Sequence, residues 1–410
     1  MTLPQIFRAF NDSNYRLLWL GNFIAATARV LLLTILSWYV LMETDSPWFV
    51  GLVGFSWMAP MFVLGLIGGV LADTSARKKV LVGTQTAGLV AVTLMTVLLA
   101  KDVTQFWYAY LLMSVVGIGE ALDMATRRSL VHDFLGSQGV TNAVALDSVG
   151  MGASFMIGPA AAGVLIAIFG VGASHTVVAG LYVASLALVW RLSINPPARP
   201  DQTTVSLITE LVEGIRYVAG TPALMAMVMI TVIMNLLLFP YMYMVPVVAK
   251  DVLGVGPALM GLLQAMPGLG ALIGSVFIAS LANVTHHGRL FVAGTVTAFV
   301  GLLLFSLSST YVVSIGLMLM IGLGLAGFIS MQTLIAMLVA RYDMRGKALG
   351  VVTLAIGVGP FGALIVGAVA DQTGPSLALF LNVAIGLPLV GLVVLTMPTL
   401  RLRTLSDTVA

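Results

Sequence analysis

The chain has 410 residues, of which 60% are hydrophobic and only 9% are charged, with a formal net charge of +3. Soluble domains carry about a quarter charged residues, so this composition excludes an ordinary water-soluble domain, a disordered chain and a nucleic-acid-binding protein. One crossing of the bilayer core needs about 20 apolar residues, which allows about a dozen crossings here. The chain has no cysteine, which excludes disulfides, thiolate catalysis and cysteine metal ligands.

Twelve apolar segments, each long enough to span a membrane, follow one another along the chain. Many are rich in glycine and alanine and several contain proline, which membrane helices tolerate better than soluble helices do. They predict an all-α integral membrane protein with twelve transmembrane helices. The segments are 17–41, 48–71, 80–100, 105–125, 140–169, 173–193, 223–249, 256–281, 290–308, 311–338, 348–370 and 376–397.

The basic residues predict the orientation of these spans. Lys101 and Lys250 fall in one set of connectors, and Arg29 lies inside a span. Because cytoplasmic loops carry an excess of Lys and Arg, the other connectors and both termini are expected to be cytoplasmic. That set holds 16 of the 19 basic residues: Arg8, Arg16, Arg77, Lys78, Lys79, Arg127, Arg128, Arg191, Arg199, Arg216, Arg289, Arg341, Arg345, Lys347, Arg401 and Arg403.

A polar stretch divides the chain into two halves. Residues 1–195 and 223–410 each contain six predicted spans, and residues 196–222 form a proline-rich linker that continues as an amphipathic helix. The halves also resemble each other, because Gly158-Pro159 and Gly359-Pro360 stand about 200 residues apart. Two parallel six-span repeats around a central cavity are a transporter architecture.

Two motifs and two further stretches resemble the major facilitator superfamily, and within it the branch that contains macrolide-efflux and enterobactin-export proteins. Residues 69–79, which include Asp73 and Arg77, resemble the superfamily's loop 2–3 signature, although Thr74 and Ala76 depart from it. Gly152, Gly158, Pro159 and Gly163 resemble the antiporter motif of its exporters. Residues 7–19 and 125–147 carry the likeness to the branch.

This resemblance implies a bacterial cytoplasmic-membrane protein that works by alternating access. It implies a proton-coupled exporter of a small molecule, either a drug or a siderophore-like compound that can carry an anionic group. The expected partners are this substrate, protons and the lipid bilayer, with no nucleic acid, and the protein is expected to be a monomer. No enzyme activity, cofactor or metal is expected. The alternatives are a facilitator or importer of an organic anion or lipid, and a non-transporting receptor or scaffold.

Charged residues near the cytoplasmic ends of spans 2 and 4 suggest a charge latch, meaning ion pairs that hold helix ends together until transport opens them. Asp73 and Arg77 follow span 2, and Asp123 lies near the end of span 4 as a partner for Arg77. The alternative is an interfacial charge pair without a gating role.

Charged side chains inside the spans are costly unless they are paired or hydrated. At least one of Glu120 and Asp147 is therefore predicted to be the proton-coupling site. Arg29 has two alternative roles, which can alternate during transport: it pairs with Glu120, or it binds an anionic substrate. In the resembling branch the Arg29 position more often carries Asp, and Met113 stands where many relatives place an arginine.

Further polar residues within the spans are candidates for contact with substrate. Besides Arg29 they are Asn22 in the first half and Asn235, Tyr241, Gln264 and Gln332 at depths suited to a cavity in the second half. The alternative for each is a hydrogen bond between helices.

Overall fold

The computed structural model of the protein describes residues 8–65, 77–193, 207–280 and 286–401, and these residues are almost entirely helical. The chain divides into two compact units. Unit 1 comprises residues 1–201 together with 255–265, and unit 2 comprises residues 202–254 together with 266–410.

Six helices of unit 1 precede the linker: α1 (Ser13–Thr44), α2 (Pro47–Gly65), α3 (Arg77–Ala100), α4 (Tyr108–Gly136), α5 (142–169) and α6 (171–190). The Asp12 side chain accepts a hydrogen bond from the backbone N–H of Tyr15 at 2.7 Å, which caps the start of α1. Asp45 ends α1 in the left-handed conformation. Almost all of α1 from Ala25 to Leu41 is buried, and α1 packs against the α4–α6 run. This helix therefore forms the centre of unit 1.

The number of spans depends on a break at Gly170. The described residues contain eleven helical stretches that are long and apolar enough to cross a membrane, and one of them is Asn142–Trp190. At 1.5 Å per residue, its 49 residues measure about 74 Å, more than twice the thickness of the bilayer core. Gly170 interrupts this stretch with φ 75° and ψ 173°, a conformation that favours glycine. The stretch thus provides two spans, which brings the total to the predicted twelve.

The helices of unit 2 begin with the linker helix α7 (Leu207–Ala219). One later helix, α9 (Pro257–Ser280), is shared, because its residues up to 265 cluster with unit 1. The others are α8 (Pro222–Val252), α10 (His287–Leu307), α11 (Tyr311–Val339), α12 (Tyr342–Thr373) and α13 (Pro375–Thr396). One π-helical turn, Met234–Leu238, interrupts α8, and a second, Val248–Val252, ends it. The α-helical part of α12 breaks between Ile356 and Gly359. Pro240 follows the first of these turns, where a proline cannot donate a backbone hydrogen bond. Pro360 lies in the first turn after the break in α12, a position that tolerates proline.

Glycines allow the backbones of α9, α10 and α11 to pack closely in unit 2. A Cβ on Gly270 would lie 3.0 Å from the Cα of Gly322, and a Cβ on Gly294 would lie 2.8 Å from the backbone nitrogen of Phe328. Such contacts are typical of membrane helices, where close packing replaces the hydrophobic effect.

The linker helix α7 packs on the start of α12. Lys347 donates to the Glu213 carboxylate, and the Tyr217 hydroxyl accepts a hydrogen bond from the Arg341 backbone N–H at 3.0 Å. Val212 and Ile215 remain about half exposed on α7. An exposed apolar face suits a helix that lies at a membrane interface.

Candidate functional site

A buried charged cluster lies between α1, α2 and α4 in unit 1. Arg29 Nε lies 3.4 Å from Glu120 Oε1, and the two side chains are only 7% and 11% exposed. The indole N–H of Trp57 donates to Glu120 Oε2 at 2.7 Å. The carboxylate therefore has a positive partner on one oxygen and a neutral donor on the other, which compensates for much of its lost hydration.

Gly117 brings Trp57 to this cluster. It lies about one turn before Glu120 on α4, and a Cβ there would collide with the carbonyl oxygen of Trp57. The absence of a side chain at Gly117 lets the backbones of α2 and α4 touch, which places the indole of Trp57 within reach of Glu120. Sequence reasoning missed Trp57, although a tryptophan in an apolar helix usually needs an acceptor for its N–H.

A second ion pair continues along the same face of α4. Arg127 Nε donates to Asp123 Oδ2 at 2.6 Å, and Arg127 Nη1 donates to the carbonyl of Leu18 on α1 at 2.8 Å. Glu120, Asp123 and Arg127 are spaced so that they share one helical face. Within the described part of the chain, Asp123 Oδ1 and Arg127 Nη2 are buried and have no hydrogen-bond partner.

The predicted pair between Arg77 and Asp123 is not present in this structure. Arg77 pairs with Asp133, which lies ten residues beyond Asp123 on α4, about 15 Å along the helix. Asp123 instead pairs with Arg127, which lies four residues away on the same helix. Residues at this spacing are neighbours on the helix surface, so the pair forms without bringing two helices together. Asp73 lies outside the described residues, and the gating role of the latch stays a prediction.

Asp147 and Asn22, predicted for proton coupling and substrate contact, face the same pocket. The pocket lies between α1 and α5, and its lining includes Trp19, Phe23, Gly150 and Met151 as well. Asp147 and Glu120 therefore occupy different environments within unit 1. One carboxylate is enclosed by polar partners, and the other lies beside aromatic rings.

The antiporter motif packs α5 against two helices of unit 1. A Cβ on Gly158 would lie 3.0 Å from the Cβ of Val30 on α1. Gly163 faces Gly261 in the segment of α9 that clusters with unit 1, and a Cβ on Gly163 would lie 2.8 Å from the Cα of Gly261. Gly152 and Pro159 lie on the same helix. The small residues of the motif thus permit two close helix contacts.

The polar residues predicted for the second half mostly bond to other helices or to their own. Gln332 donates to the hydroxyl of Thr231 at 2.7 Å, which links α11 to α8. Asn235, in the first π-helical turn, donates to the carbonyl of Thr231 at 2.9 Å. Tyr241 is 5% exposed. Thr231, which the sequence analysis did not consider, is the centre of this polar group.

Gln264 does not belong to the second-half group. It lies in the segment of α9 that clusters with unit 1, and its side-chain oxygen accepts a hydrogen bond from the Thr34 hydroxyl of α1 at 3.1 Å. Its predicted contact with substrate stays a prediction. The side chain instead joins α9 to the buried centre of unit 1.

Residues 5–408 match the model of a family described as transmembrane secretion effector. The chain belongs to the transmembrane secretion effector family, within the major facilitator superfamily. This confirms the resemblance inferred from the loop 2–3 signature and the antiporter motif.

Two relatives of this family member carry efflux names. The multidrug efflux pump Tap of Mycolicibacterium fortuitum is 23% identical over 379 residues, which cover 89% of this chain and 90% of Tap. The enterobactin exporter EntS of Escherichia coli O1:K1 is 26% identical over 310 residues, which cover 73% of this chain and 71% of EntS.

Solved transporter structures share the fold of this family member. The nucleoside transporter NupG superposes with a TM-score of 0.74 at 14% identity and covers 94% of this chain and 98% of its own. A bacterial homologue of the human lysosomal transporter Spinster gives a TM-score of 0.68 at 15% identity, with 97% of each chain covered. The family match and the shared fold agree that the chain is a multi-pass membrane transporter, as the sequence predicted. In the described ranges, His, Asp and Glu side chains form no group of three that could hold a metal ion.

Proposed function

We propose that this transporter exports a small molecule against proton entry, by alternating access, with Glu120 as the coupling carboxylate. The names of Tap and EntS, a multidrug efflux pump and an enterobactin exporter, support the outward direction. A proton moving down the membrane potential supplies about 2.3 kcal/mol per 100 mV.

The observation that carries the coupling proposal is the enclosed Arg29–Glu120–Trp57 cluster. Protonation of Glu120 would remove its negative charge and leave the guanidinium of Arg29 buried without a counter-ion. An uncompensated buried charge costs several kcal/mol, so the protonated protein would favour a conformation in which Arg29 is hydrated. Proton binding and conformation are thereby coupled through one ion pair.

In this proposal Arg29 is the counter-ion of Glu120 and not the main anchor for an anionic substrate. Its Nε already faces the carboxylate, so a substrate anion would have to displace Glu120 from it. The pairing favours the first of the two roles that the sequence left open for Arg29.

We assign the gating role to Asp73, Arg77 and Asp123. Asp73 precedes α3 in the sequence, Arg77 begins α3, and Asp123 lies in the second half of α4. Asp133 joins them as the observed partner of Arg77, and Arg127 as that of Asp123. The excess of basic residues in alternate connectors supports a cytoplasmic position for these residues and for both chain termini.

Transport by purified protein in liposomes tests the coupling. A thermal-shift screen of drugs and siderophores first identifies a ligand. Its uphill movement under an imposed pH gradient is then measured, while a pH-sensitive dye inside the liposomes records the movement of protons. Wild-type protein should link solute movement to opposite proton movement. Glu120→Gln should abolish uphill transport but keep downhill exchange, whereas the control Glu43→Gln, an exposed acid at the end of α1, should behave as wild type. Uphill transport by Glu120→Gln would refute the assignment.

A further inference from the structure

Tyr182 of α6 lies within electrostatic range of the Arg29–Glu120 pair. Its side chain is 3% exposed, and Coulomb interactions link it to Arg29, Glu120 and Asp123. The charged and titratable groups that act on Arg29 are the two carboxylates of α4 and this phenol of α6. The contribution of α2 to the cluster is the neutral indole of Trp57. Tyr182 therefore brings an uncharged hydroxyl to the surroundings of a buried ion pair.

Gly88 of α3 fixes the position of the Tyr182 ring. A Cβ on Gly88 would lie 2.6 Å from Cε1 of the ring and 3.1 Å from Cζ, the carbon that carries the hydroxyl. The ring thus lies directly on the backbone of α3. About one turn further along α6, the Ser185 hydroxyl donates to the carbonyl of Gly21 on α1 at 2.8 Å. Because α6 is held against both α1 and α3 at this level, the phenol has little freedom to turn away.

Gln85 supplies a buried acceptor next to this ring. It lies on the buried face of α3, about one turn before Gly88, and is 3% exposed. A Cβ on Gly119, the neighbour of Glu120 on α4, would lie 3.6 Å from the carbonyl oxygen of Thr84, so this part of α3 is level with the ion pair. Within the described part of the chain, Gln85 Oε1 is buried and has no hydrogen-bond partner. Such an atom is costly, and a role in another state of the protein explains why it is kept.

We propose that Tyr182 and Gln85 hold the guanidinium of Arg29 when Glu120 is protonated. This role rests on the proposed function, in which a proton on Glu120 leaves Arg29 without its counter-ion. A phenol oxygen can accept a hydrogen bond from a guanidinium N–H while its own O–H donates to an amide oxygen. The hydrogen bonds then run from Arg29 to the Tyr182 oxygen, and from the Tyr182 hydroxyl to Gln85 Oε1.

These two neutral acceptors lower the cost of proton uptake by Glu120. A hydrogen bond to an ionised group is a strong one, so it compensates for part of the burial of Arg29 until water reaches the guanidinium. Without the acceptors, a proton that neutralised Glu120 would leave a bare buried cation. Tyr182 and Gln85 are therefore positioning residues, which act on the proton affinity of Glu120 through Arg29 and do not carry the proton themselves.

Infrared titration of the full chain in lipid nanodiscs tests this role. The carbonyl stretch of protonated Glu120 is identified as the band that Glu120→Gln removes, and its intensity is followed against pH. Tyr182→Phe keeps the ring on Gly88 but loses the acceptor, which destabilises the protonated state. Its midpoint should therefore move to lower pH by about one unit, which is an about tenfold loss of proton affinity.

Tyr110→Phe is the matched control for the lost hydroxyl. The Tyr110 hydroxyl donates to the carbonyl of Phe49 at 3.2 Å, but it belongs to a residue about 15 Å from Glu120 along α4. Its removal should leave the midpoint unchanged.

Gln85→Met gives an independent measurement. Its midpoint should also move to lower pH, but by less, because Tyr182 still accepts from Arg29. At alkaline pH, where Glu120 is charged, this variant should melt at a higher temperature than wild type, since an apolar side chain of similar size replaces an unpaired buried amide oxygen.

An unchanged midpoint in folded Tyr182→Phe, a shift to higher pH, or an equal shift in Tyr110→Phe would overturn the proposal. If Tyr182→Phe fails to fold, an unchanged midpoint in Gln85→Met overturns it instead. The absence of a Glu120 band at every pH would contradict both this role and the coupling assignment. Shifted midpoints in a protein that does not couple export to protons would count against the proposed function and leave the role of Tyr182 standing. Proton-coupled export with unshifted midpoints would count against that role alone.

Discussion

Arg29 on α1 and Glu120 on α4 approach each other to 3.4 Å in a region where both side chains are about nine-tenths shielded from solvent. Each of them compensates for the buried charge of the other. Trp57 adds a hydrogen bond to the second oxygen of Glu120. Three helices of unit 1 are thus joined by one carboxylate, and a change in its charge must be felt by all three.

A double-mutant cycle should detect this interdependence. Arg29→Gln or Glu120→Gln alone should destabilise the protein by about 3–5 kcal/mol, because each leaves an unpaired buried charge. The double variant should lose clearly less than the sum of the two. Thermal unfolding in detergent gives the comparison. The exposed pair Arg341 and Asp343, which is more than 60% exposed on each side, should show almost no coupling when treated in the same way. Additive losses at Arg29 and Glu120 would contradict the predicted coupling.

The close contact of α2 with α4 should be intolerant of one methyl group. Gly117→Ala would push a Cβ into the Trp57 carbonyl, so we expect a loss of about 1–3 kcal/mol and slower transport. Gly83→Ala on α3 is the matched control, because no neighbouring atom lies within 4 Å of a Cβ there. It should be neutral or slightly stabilising, by up to about 1 kcal/mol. Equal melting temperatures for the two variants would contradict this prediction, because they would show that α2 moves away from the added methyl group at little cost.

The charge latch should control the rate of transport and not the affinity for substrate. Asp73→Asn, Arg77→Ala and Asp133→Asn are each expected to slow turnover, while the dissociation constant changes by no more than a few fold. The reason is that these side chains influence the conformational equilibrium without touching the ligand. Turnover and equilibrium binding are measured on the same preparations. A large loss of affinity at normal turnover would count against a gating role.

The absence of cysteine makes the orientation directly testable. Lys101→Cys and Arg341→Cys each place a thiol at an exposed position in a chain that has no other. A membrane-impermeant maleimide added to intact cells should label the first variant, whereas the second should react only after permeabilisation. The reverse pattern would place both termini on the outer side of the membrane.

Local features of the chain were sufficient to predict the fold. Whether about 20 consecutive residues prefer lipid depends on their own composition. The distribution of lysine and arginine among the connectors predicts the orientation of the spans without any tertiary contact. The twelve spans, the family and the transporter class follow from such segments and from motifs such as Gly158-Pro159. Even the linker helix α7 is visible in its amphipathic pattern.

Contacts between helices required the tertiary structure. Sequence reasoning named Arg29 and Glu120 but left two roles open for Arg29. It paired Arg77 with Asp123, and it did not predict that Gln264 bonds to Thr34 of α1. Each case depends on the rotation of one helix about its axis and on its depth against a neighbour. A shift of one residue turns a side chain by about 100°, so hydropathy cannot decide which helix it faces. Those rotations are set by the packing of glycines such as Gly117 and Gly163 against distant backbone, which is a property of the assembled helices and of no single segment.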